Sequence, residues 1–519
     1  MKWRRNLPHE VGLSVQLQEE KLEKSEFSKK SLHSGAISIV AQATNTAVQI
    51  GTTICLARLL IPEDFGLVAM VSALTGFANV LMDLGTRDAA VQRSQITQEE
   101  LSTLFWLTTG LGALFTGVVL GAAPLIGEFY QEERLVSIAQ FWGLTFVITA
   151  LSCQHAALLR RKLMFQKVAL IEVAANVLGA AAAIGMALSG SGYWALVLRP
   201  LVTACVMLIL IWSNCHWIPG WPVFTKGVKE TVKFGLNITG FTTTDYLAKA
   251  ADRVGLGYTV GARELGLYHN ASTVYENALT VVTLPLHSVA VATLSKLRDN
   301  VEELRRAWAT ALSSLTFFAT LAFVILAVIG QDLIVLLLGN KWVGASTLLV
   351  IFALRGPAQV IERTLGWLHV AAGRPDRWMR WGIISCIVQV AAVLCGLPFG
   401  AMGVAISYGL CTYILFMPAI VYAGQPLQIG VLDLMRAVGP PLIGALVADA
   451  VGFTLRMYYL SDSPPFQRMA ALIVACVIAY TLITVGVFGM TKPIEVAKRL
   501  LREFLPSGLS RMLGLSAAH

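Results

Sequence analysis

A chain of 519 residues that is 56% hydrophobic and only 14% charged carries more apolar surface than a soluble core could hide, so the solvent of most of it is lipid. Its net charge of +9, from 40 Lys and Arg against 31 Asp and Glu, suggests an anionic partner, nucleic acid or lipid, until the positions of the basic residues are known. A spanning helix uses about 20 largely apolar residues, so little length is left for a soluble domain.

Residues 1–30 are polar and mixed in charge, with no apolar run behind the basic start; they read as a cytoplasmic tail and not as a cleaved signal peptide. Beyond them, the apolar runs predict an all-α integral membrane protein of about fourteen transmembrane helices. In chain order the helices fall near 33–59, 66–84, 101–128, 135–158, 165–189, 192–213, 230–252, 265–292, 305–330, 343–370, 377–397, 400–423, 432–455 and 467–489. The expected organisation is an N-lobe over 31–213, an inter-lobe loop over 214–229, a C-lobe over 230–423, two extra helices over 424–490 and a tail over 491–519. Within the tail, Ile494 to Leu505 intersperses Lys498, Arg499 and Arg502 with apolar residues, as an amphipathic helix at the membrane surface does. The eight cysteines lie scattered without CxxC spacing and read as small hydrophobes.

An even number of spans puts both termini on one side. With the N-terminus inside, 29 of the 40 basic residues fall on the cytoplasmic side and 7 outside, leaving Arg199, Lys249, Arg355 and Arg363 within spans. That asymmetry is the positive-inside signature. The basic balance therefore reports orientation, with both termini cytoplasmic, and argues against nucleic-acid binding.

At a shift of 200 residues Phe65-Gly66-Leu67 falls on Leu265-Gly266-Leu267, which suggests a parallel repeat: two six-helix lobes followed by two extra helices. Both halves open with a polar stripe. The first span carries Gln42, Asn45 and Gln49 between Ser38 and Thr52, and the seventh carries Asp245, Lys249 and Asp252 after Thr242, in each case on one helical face. Such stripes face a central cavity or water-filled path, or glue helices together by hydrogen bonds. On the tenth span Arg355, Gln359 and Glu362 share a face, with Arg363 beside them.

Two readings of these charges stay open. In one, Lys249 and Arg355 line the cavity and hold a diphosphate or acidic sugar, because the planar fork of Arg matches phosphate oxygens. In the other, Lys249 pairs with Asp245 or Asp252, and Arg355 with Glu362. Asp245 and Glu276 are candidates for coupling transport to protons or sodium. Glu172, Arg199 and Asp449 read as packing residues. No phosphate loop, HExxH, GxSxG or CxxC motif occurs, and the histidines show no metal spacing, so neither an enzyme, a cofactor nor a metal is expected.

Several segments carry a family resemblance: LARLLIPEDFGLVAMVSALTGFANVLMDLG at 56–85, QRSQITQEELSTLFWL at 92–107, RRKLMFQKVALIEV at 160–173, GSGYWALV at 190–197, DRVGLGYTVGARELGLY at 252–268, LLGNKWVGA at 337–345 and AAGRPDR at 371–377. Through them the first 375 or so residues resemble the polysaccharide flippases of the bacterial multidrug/oligosaccharidyl-lipid/polysaccharide exporter superfamily, in the branch exporting colanic acid, teichuronic acid and succinoglycan units. The resemblance implies two six-helix lobes around a V-shaped cavity, an undecaprenyl-diphosphate-linked oligosaccharide as substrate, alternating access and an inner-membrane location. A polysaccharide polymerase and a chain-length regulator are the expected partners besides membrane lipids. It supplies no cationic motif, so Lys249, Arg355 and Arg363 stand as candidates from the sequence itself. Two alternatives remain: a cation-coupled drug antiporter of the same superfamily, and a non-transporting scaffold of a polysaccharide synthase.

Overall fold

The computed structural model describes residues 40–83, 97–223, 226–297, 300–371 and 374–504. Among them all regular structure is helical. Helix α1 covers residues 40–59, α2 Pro62–Asp83, α3 Gln98–Tyr130, α4 Arg134–Arg161, α5 Phe165–Leu188 and α6 Trp194–Asn214. Residues 226–260 and 262–296 form α7 and α8. There follow α9 Val301–Leu338, α10 Val343–Ala371, α11 Pro375–Gly396, α12 Gly400–Gly424, α13 Val431–Tyr458, α14 Pro465–Thr481 and α15 Lys492–Phe504.

Local chemistry sets the ends. Pro62 opens α2 where its missing N–H costs nothing, and the Asp64 carboxylate accepts the Ile61 N–H at 3.1 Å. Thr97 and Glu100 form a reciprocal capping box ahead of α3, both bonds being 3.2 Å long. Asn300 caps α9, accepting from the Glu303 N–H at 3.2 Å, and Gly339, at φ 97°, ends it.

One expectation is corrected. The sequence suggested a loop at 253–264, but the helix runs from Lys226 to Lys296 with a single break at Gly261, φ 81° and ψ −178°. Only glycine adopts that conformation cheaply, so one residue does the work of a loop and brings Asp252 and Arg253 inside the helical body. Gly261 also stands 200 residues after Ile61, which separates α1 from α2.

Nine segments among the described residues are long and apolar enough to cross a membrane, and the segment Asp376–Leu427 takes in both α11 and α12. The first two helices of each half, α1, α2, α7 and α8, are not among them; the polar stripes read from the sequence lie on α1 and α7. The tail helix is present as expected, and Ile494 at its start packs against buried residues of α9, α13 and α14; Arg499 and Arg502 lie outside the described side chains.

The described chain divides into two compact units, one of residues up to Leu56 with Leu81–Ala123 and Ser137–Thr239, the other of Ala57–Val80, Pro124–Val136 and the residues from Gly240 on. In the first unit, α5 and α6 pack closely at Gly179, where a Cβ would meet Thr203 Oγ1 at 2.0 Å. The segment after α6 is strapped to α3: Ser102 and Thr103 hydroxyls accept the Gly220 and Val223 N–H groups at 2.9 and 2.8 Å, and Trp106 Nε1 donates to Gly220 O at 2.8 Å. Asn176 on α5 donates its amide to Asn45 Oδ1 on α1 at 3.1 Å. A double-mutant cycle with Asn45→Ala and Asn176→Ala is expected to return a coupling of about 0.6–1 kcal/mol in thermal stability, the scale of interhelical hydrogen bonds in lipid. Additive losses would show the bond to be inconsequential.

The second unit preserves the repeat as a physical contact. Gly66 on α2 faces Ala262 at the start of α8, where a Cβ would sit 1.7 Å from the carbonyl oxygen. Gly266 faces Pro62 at the start of α2, at 1.8 Å. The two contacts are related by the same shift of 200 residues, so the helix starts cross with their backbones touching, as small residues allow in membrane bundles. Phe65 and Trp342 meet edge to face at 5.2 Å, and Trp342 Nε1 donates to Ala57 O at 2.8 Å. Tyr246 of α7 donates to Ser72 O of α2 at 2.9 Å. At the start of α4, Arg134 bridges Glu63 of α2 and Glu132 of the preceding loop at 2.6 and 2.8 Å, and its hydrogen bond holds the Glu132 carboxyl below the usual carboxylate range.

Helices α13 and α14 pack on α9 through Val328, Ala448, Leu472, Cys476 and Tyr480, with Gly452 admitting Val328 and Cys476. At one end Arg456 and Arg468 converge on the buried Asp332 carboxylate at 2.9 and 2.5 Å. At the other, Arg305 pairs with Asp433, so ion pairs fix both ends of an apolar seam.

Candidate functional site

A cavity of about 680 Å³ opens inside the second unit, walled by α7, α8, α10, α11 and α12. Its walls are helical stripes. Tyr268, Ser272 and Glu276 follow at spacings of four on α8, and Phe352, Arg355, Gln359, Glu362, Gly366 and His369 alternate threes and fours on α10. On a rise of 1.5 Å per residue the α10 stripe is about 25 Å long, so the cavity is a channel along a helix more than a spherical pocket.

Arg355 is the anomaly of this wall. It is 6% exposed, and its guanidinium lies over three rings: Tyr408 at 4.5 Å, Tyr275 at 5.0 Å and Phe352 at 5.7 Å. Its Nε has no hydrogen-bond partner among the described residues. No described carboxylate forms an ion pair with it; the cation on this wall that does so is Arg363, with Glu276. Glu362, the carboxylate read from sequence as its partner, and Asp252, read as a partner of Lys249, both accept hydrogen bonds from other groups. Glu362 accepts from Gln359 Nε2 at 3.0 Å, while Asp252 accepts from the Tyr268 hydroxyl at 2.8 Å and from the Arg253 N–H at 2.6 Å. The pairing of Arg355 with Glu362 allowed by the sequence is not among the ion pairs of the described residues, and Gln359, one turn closer, donates to that carboxylate.

Three ring faces over one guanidinium, at about 0.5–2 kcal/mol each, offset much of the several kcal/mol that removing it from water costs. The guanidinium is thus held by rings and not by an ion pair among the described residues, and it lines the cavity.

Arg363 pairs with Glu276 across the cavity at 3.0 Å, with side chains 40% and 49% exposed. A pair so open to water is worth about 0–1 kcal/mol, and separating it to admit a charged ligand costs correspondingly little. Lys249, Asp252 and Arg253 line the same space. Of the candidates named from sequence, Lys249, Asp252, Glu276, Arg355, Gln359, Glu362 and Arg363 thus share one wall system. The side chain of Asp245 lies outside the described part of the structure. Gln42 and Gln49 are exposed on α1, in the other unit, and Asn45 makes the interhelical bond to Asn176, the second of the two roles the sequence allowed for that stripe.

Sequence reasoning missed the aromatic components. Tyr268, Tyr275 and Tyr408 around the charges, and Trp378 and Trp381 on α11, lie apart in sequence and converge only on folding. The spacing of the two tryptophans by three residues was the available signal. No group of three or more metal-ligating side chains is found among the described residues.

An all-helical fold with nine described segments long and apolar enough to cross a membrane, enclosing a charged cavity, defines the class: a multi-pass membrane protein. The lipid II flippase MurJ in its inward closed conformation superposes with a TM-score of 0.70, over 87% of this chain and 99% of that one, at 13% identity. A sequence model of the family described as polysaccharide biosynthesis protein matches residues 55–347, and the chain belongs to that family. Among its relatives, the teichuronic acid biosynthesis protein TuaB of Bacillus subtilis (strain 168) is 25% identical over 77% of this chain and 78% of its own length. The lipopolysaccharide biosynthesis protein WzxC of Escherichia coli (strain K12) is 26% identical over 68% and 72%.

Proposed function

We propose that this protein is a flippase that carries undecaprenyl-diphosphate-linked oligosaccharide units across the bacterial inner membrane by alternating access, for exopolysaccharide or lipopolysaccharide synthesis. The observation that carries the reading is Arg355: a buried guanidinium, caged by rings, without a described carboxylate partner and set in a cavity wall. A diphosphate would give the guanidinium an ionic partner and accept from its planar fork of donors. Family membership and the names of the relatives, which concern polysaccharide biosynthesis, agree with such a cargo.

In this reading Arg355 is the anchor, with Lys249 and Arg363 as auxiliary cations. Arg363 is released when the exposed pair with Glu276 opens. Asp252, Gln359 and Glu362 shape the site by fixing its rings and amides, and Gln42, Asn45 and Gln49 offer the polar surface of the opposite lobe. Glu276 and Asp245 are the groups whose protonation couples transport to a gradient. Both termini are cytoplasmic, two six-helix lobes over 31–213 and 230–423 alternate in access, and a polymerase and a chain-length regulator receive the product.

The test is a strain that lacks the gene. It is expected to stop exporting polymer and to accumulate lipid-linked units on the cytoplasmic leaflet, with both defects reversed by the intact gene. Normal polymer from that strain, with no second exporter present, would refute the proposal and favour a drug antiporter. Lost polymer without accumulation of inward-facing units would favour a synthase scaffold.

A further inference from the structure

The cavity has two chemically distinct ends, and only one answers to a diphosphate. From Arg355 to Gly366 the α10 stripe runs 11 residues, about 16 Å, and past Gly366 the charges give way to Trp378, Trp381 and His369. Trp378 lies against the α10 backbone: a Cβ on Gly366 would stand 3.2 Å from its Cζ2. Trp381 stacks on Tyr422 at 5.7 Å and 28°. Tyr422 is itself covered by the Arg377 guanidinium at 4.2 Å, which donates to Tyr422 O at 2.7 Å and to Gln425 Oε1 at 2.9 Å. The Trp381 ring is thereby braced from behind before any ligand arrives, and a pre-ordered ring costs little entropy to use. The amides of Gln359 and Gln389 line the cavity nearer Arg355, Gln389 Oε1 accepting from the Tyr408 hydroxyl at 3.3 Å.

We infer that Trp378 and Trp381 form a sugar-binding platform: pyranose rings of the cargo lie on the indoles through their C–H faces, while hydroxyls of the sugars nearer the diphosphate meet the cavity amides. Broad apolar rings with a few convergent polar groups are the lining that fixes a small ligand's orientation, and hydroxyls matched by amides are what make such a site selective. A membrane-interface role alone would turn the tryptophans toward lipid, whereas these line a cavity. The inference rests on the flippase reading and goes further, because it assigns the glycan to residues separate from those that hold the phosphate.

The test uses the full-length protein in detergent and two probes: the lipid-linked oligosaccharide pool extracted from cells lacking the protein, and undecaprenyl diphosphate without sugar. Wild type is expected to favour the glycan-bearing lipid by about tenfold, the scale of one well-packed aromatic contact. Trp378→Ala and Trp381→Ala abolish that preference while binding bare lipid as wild type does, Trp381→Phe keeps most of it, and Arg355→Gln weakens both lipids. Where an alanine variant is not monodisperse, Trp381→Leu, which has volume but no ring, replaces it. A retained preference in the tryptophan variants, or an equal loss for both lipids, overturns the platform and leaves the flippase reading intact. A wild type that binds neither lipid overturns that reading and the platform with it.

Discussion

Gly66→Ala and Gly266→Ala should each cost this protein about 3 kcal/mol or more, at the upper end of overpacking penalties. A Cβ placed at either position falls 1.7–1.8 Å from a carbonyl oxygen of the facing helix, and a backbone carbonyl cannot swing aside as a side-chain tip can. The helices have to separate, which strips the packing around Phe65 and Trp342 as well. Gly117→Ala is the control: nothing lies within 4 Å of its added methyl, and in a helix alanine is favoured over glycine by about 1 kcal/mol. Melting of the solubilised proteins compares the three directly. Melting temperatures for Gly66→Ala and Gly266→Ala close to that of Gly117→Ala would show that the two helix starts do not touch in the working protein.

Arg355 should show the largest effect on function. Its replacement by Gln removes the charge but keeps donors, and Lys keeps the charge but neither the planar fork nor the stacking on Tyr275 and Tyr408. Loss of a buried, charge-assisted contact costs about 2–5 kcal/mol, so Arg355→Gln is expected to lower transport at least thirtyfold at wild-type membrane levels. Arg355→Lys recovers only part, because a point charge cannot replace bidentate recognition. Since the guanidinium makes no described ion pair within the protein, and Asp252 keeps its hydrogen bonds from Tyr268 and the Arg253 N–H, folding should survive better than transport. A variant that loses membrane protein and transport together would make Arg355 a structural residue. Variants that transport normally would remove it from the path.

The sequence made the helices legible because lipid leaves the backbone little choice, and it made the α10 stripe legible because helical spacing alone puts Arg355, Gln359 and Glu362 on one face. The glycines of the 65–67 and 265–267 match, only three residues long, proved to be contact points, Gly66 against Ala262 and Gly266 against Pro62. What escaped was whatever depends on a neighbour distant in the chain. Arg355 and Glu362 share a face, yet it is Gln359 that donates to the carboxylate, and the rings that hold the arginine come from α8, α10 and α12. The break at Gly261 looked like a loop because Arg253, Arg263 and Glu264 flank it, although one positive φ suffices. The stripe on α1 shows the limit of pattern alone, since a hydrogen bond to Asn176 and a polar cavity surface have the same spacing in sequence.

The most direct measurement is flipping itself: purified protein reconstituted into liposomes loaded with the extracted lipid-linked oligosaccharide, with the glycan's exposure followed by a membrane-impermeant glycosidase or lectin. Wild-type protein should transfer the inner-leaflet fraction to the accessible side while Arg355→Gln leaves it protected. Transfer no faster than in protein-free liposomes, under every ion gradient imposed, would contradict the account.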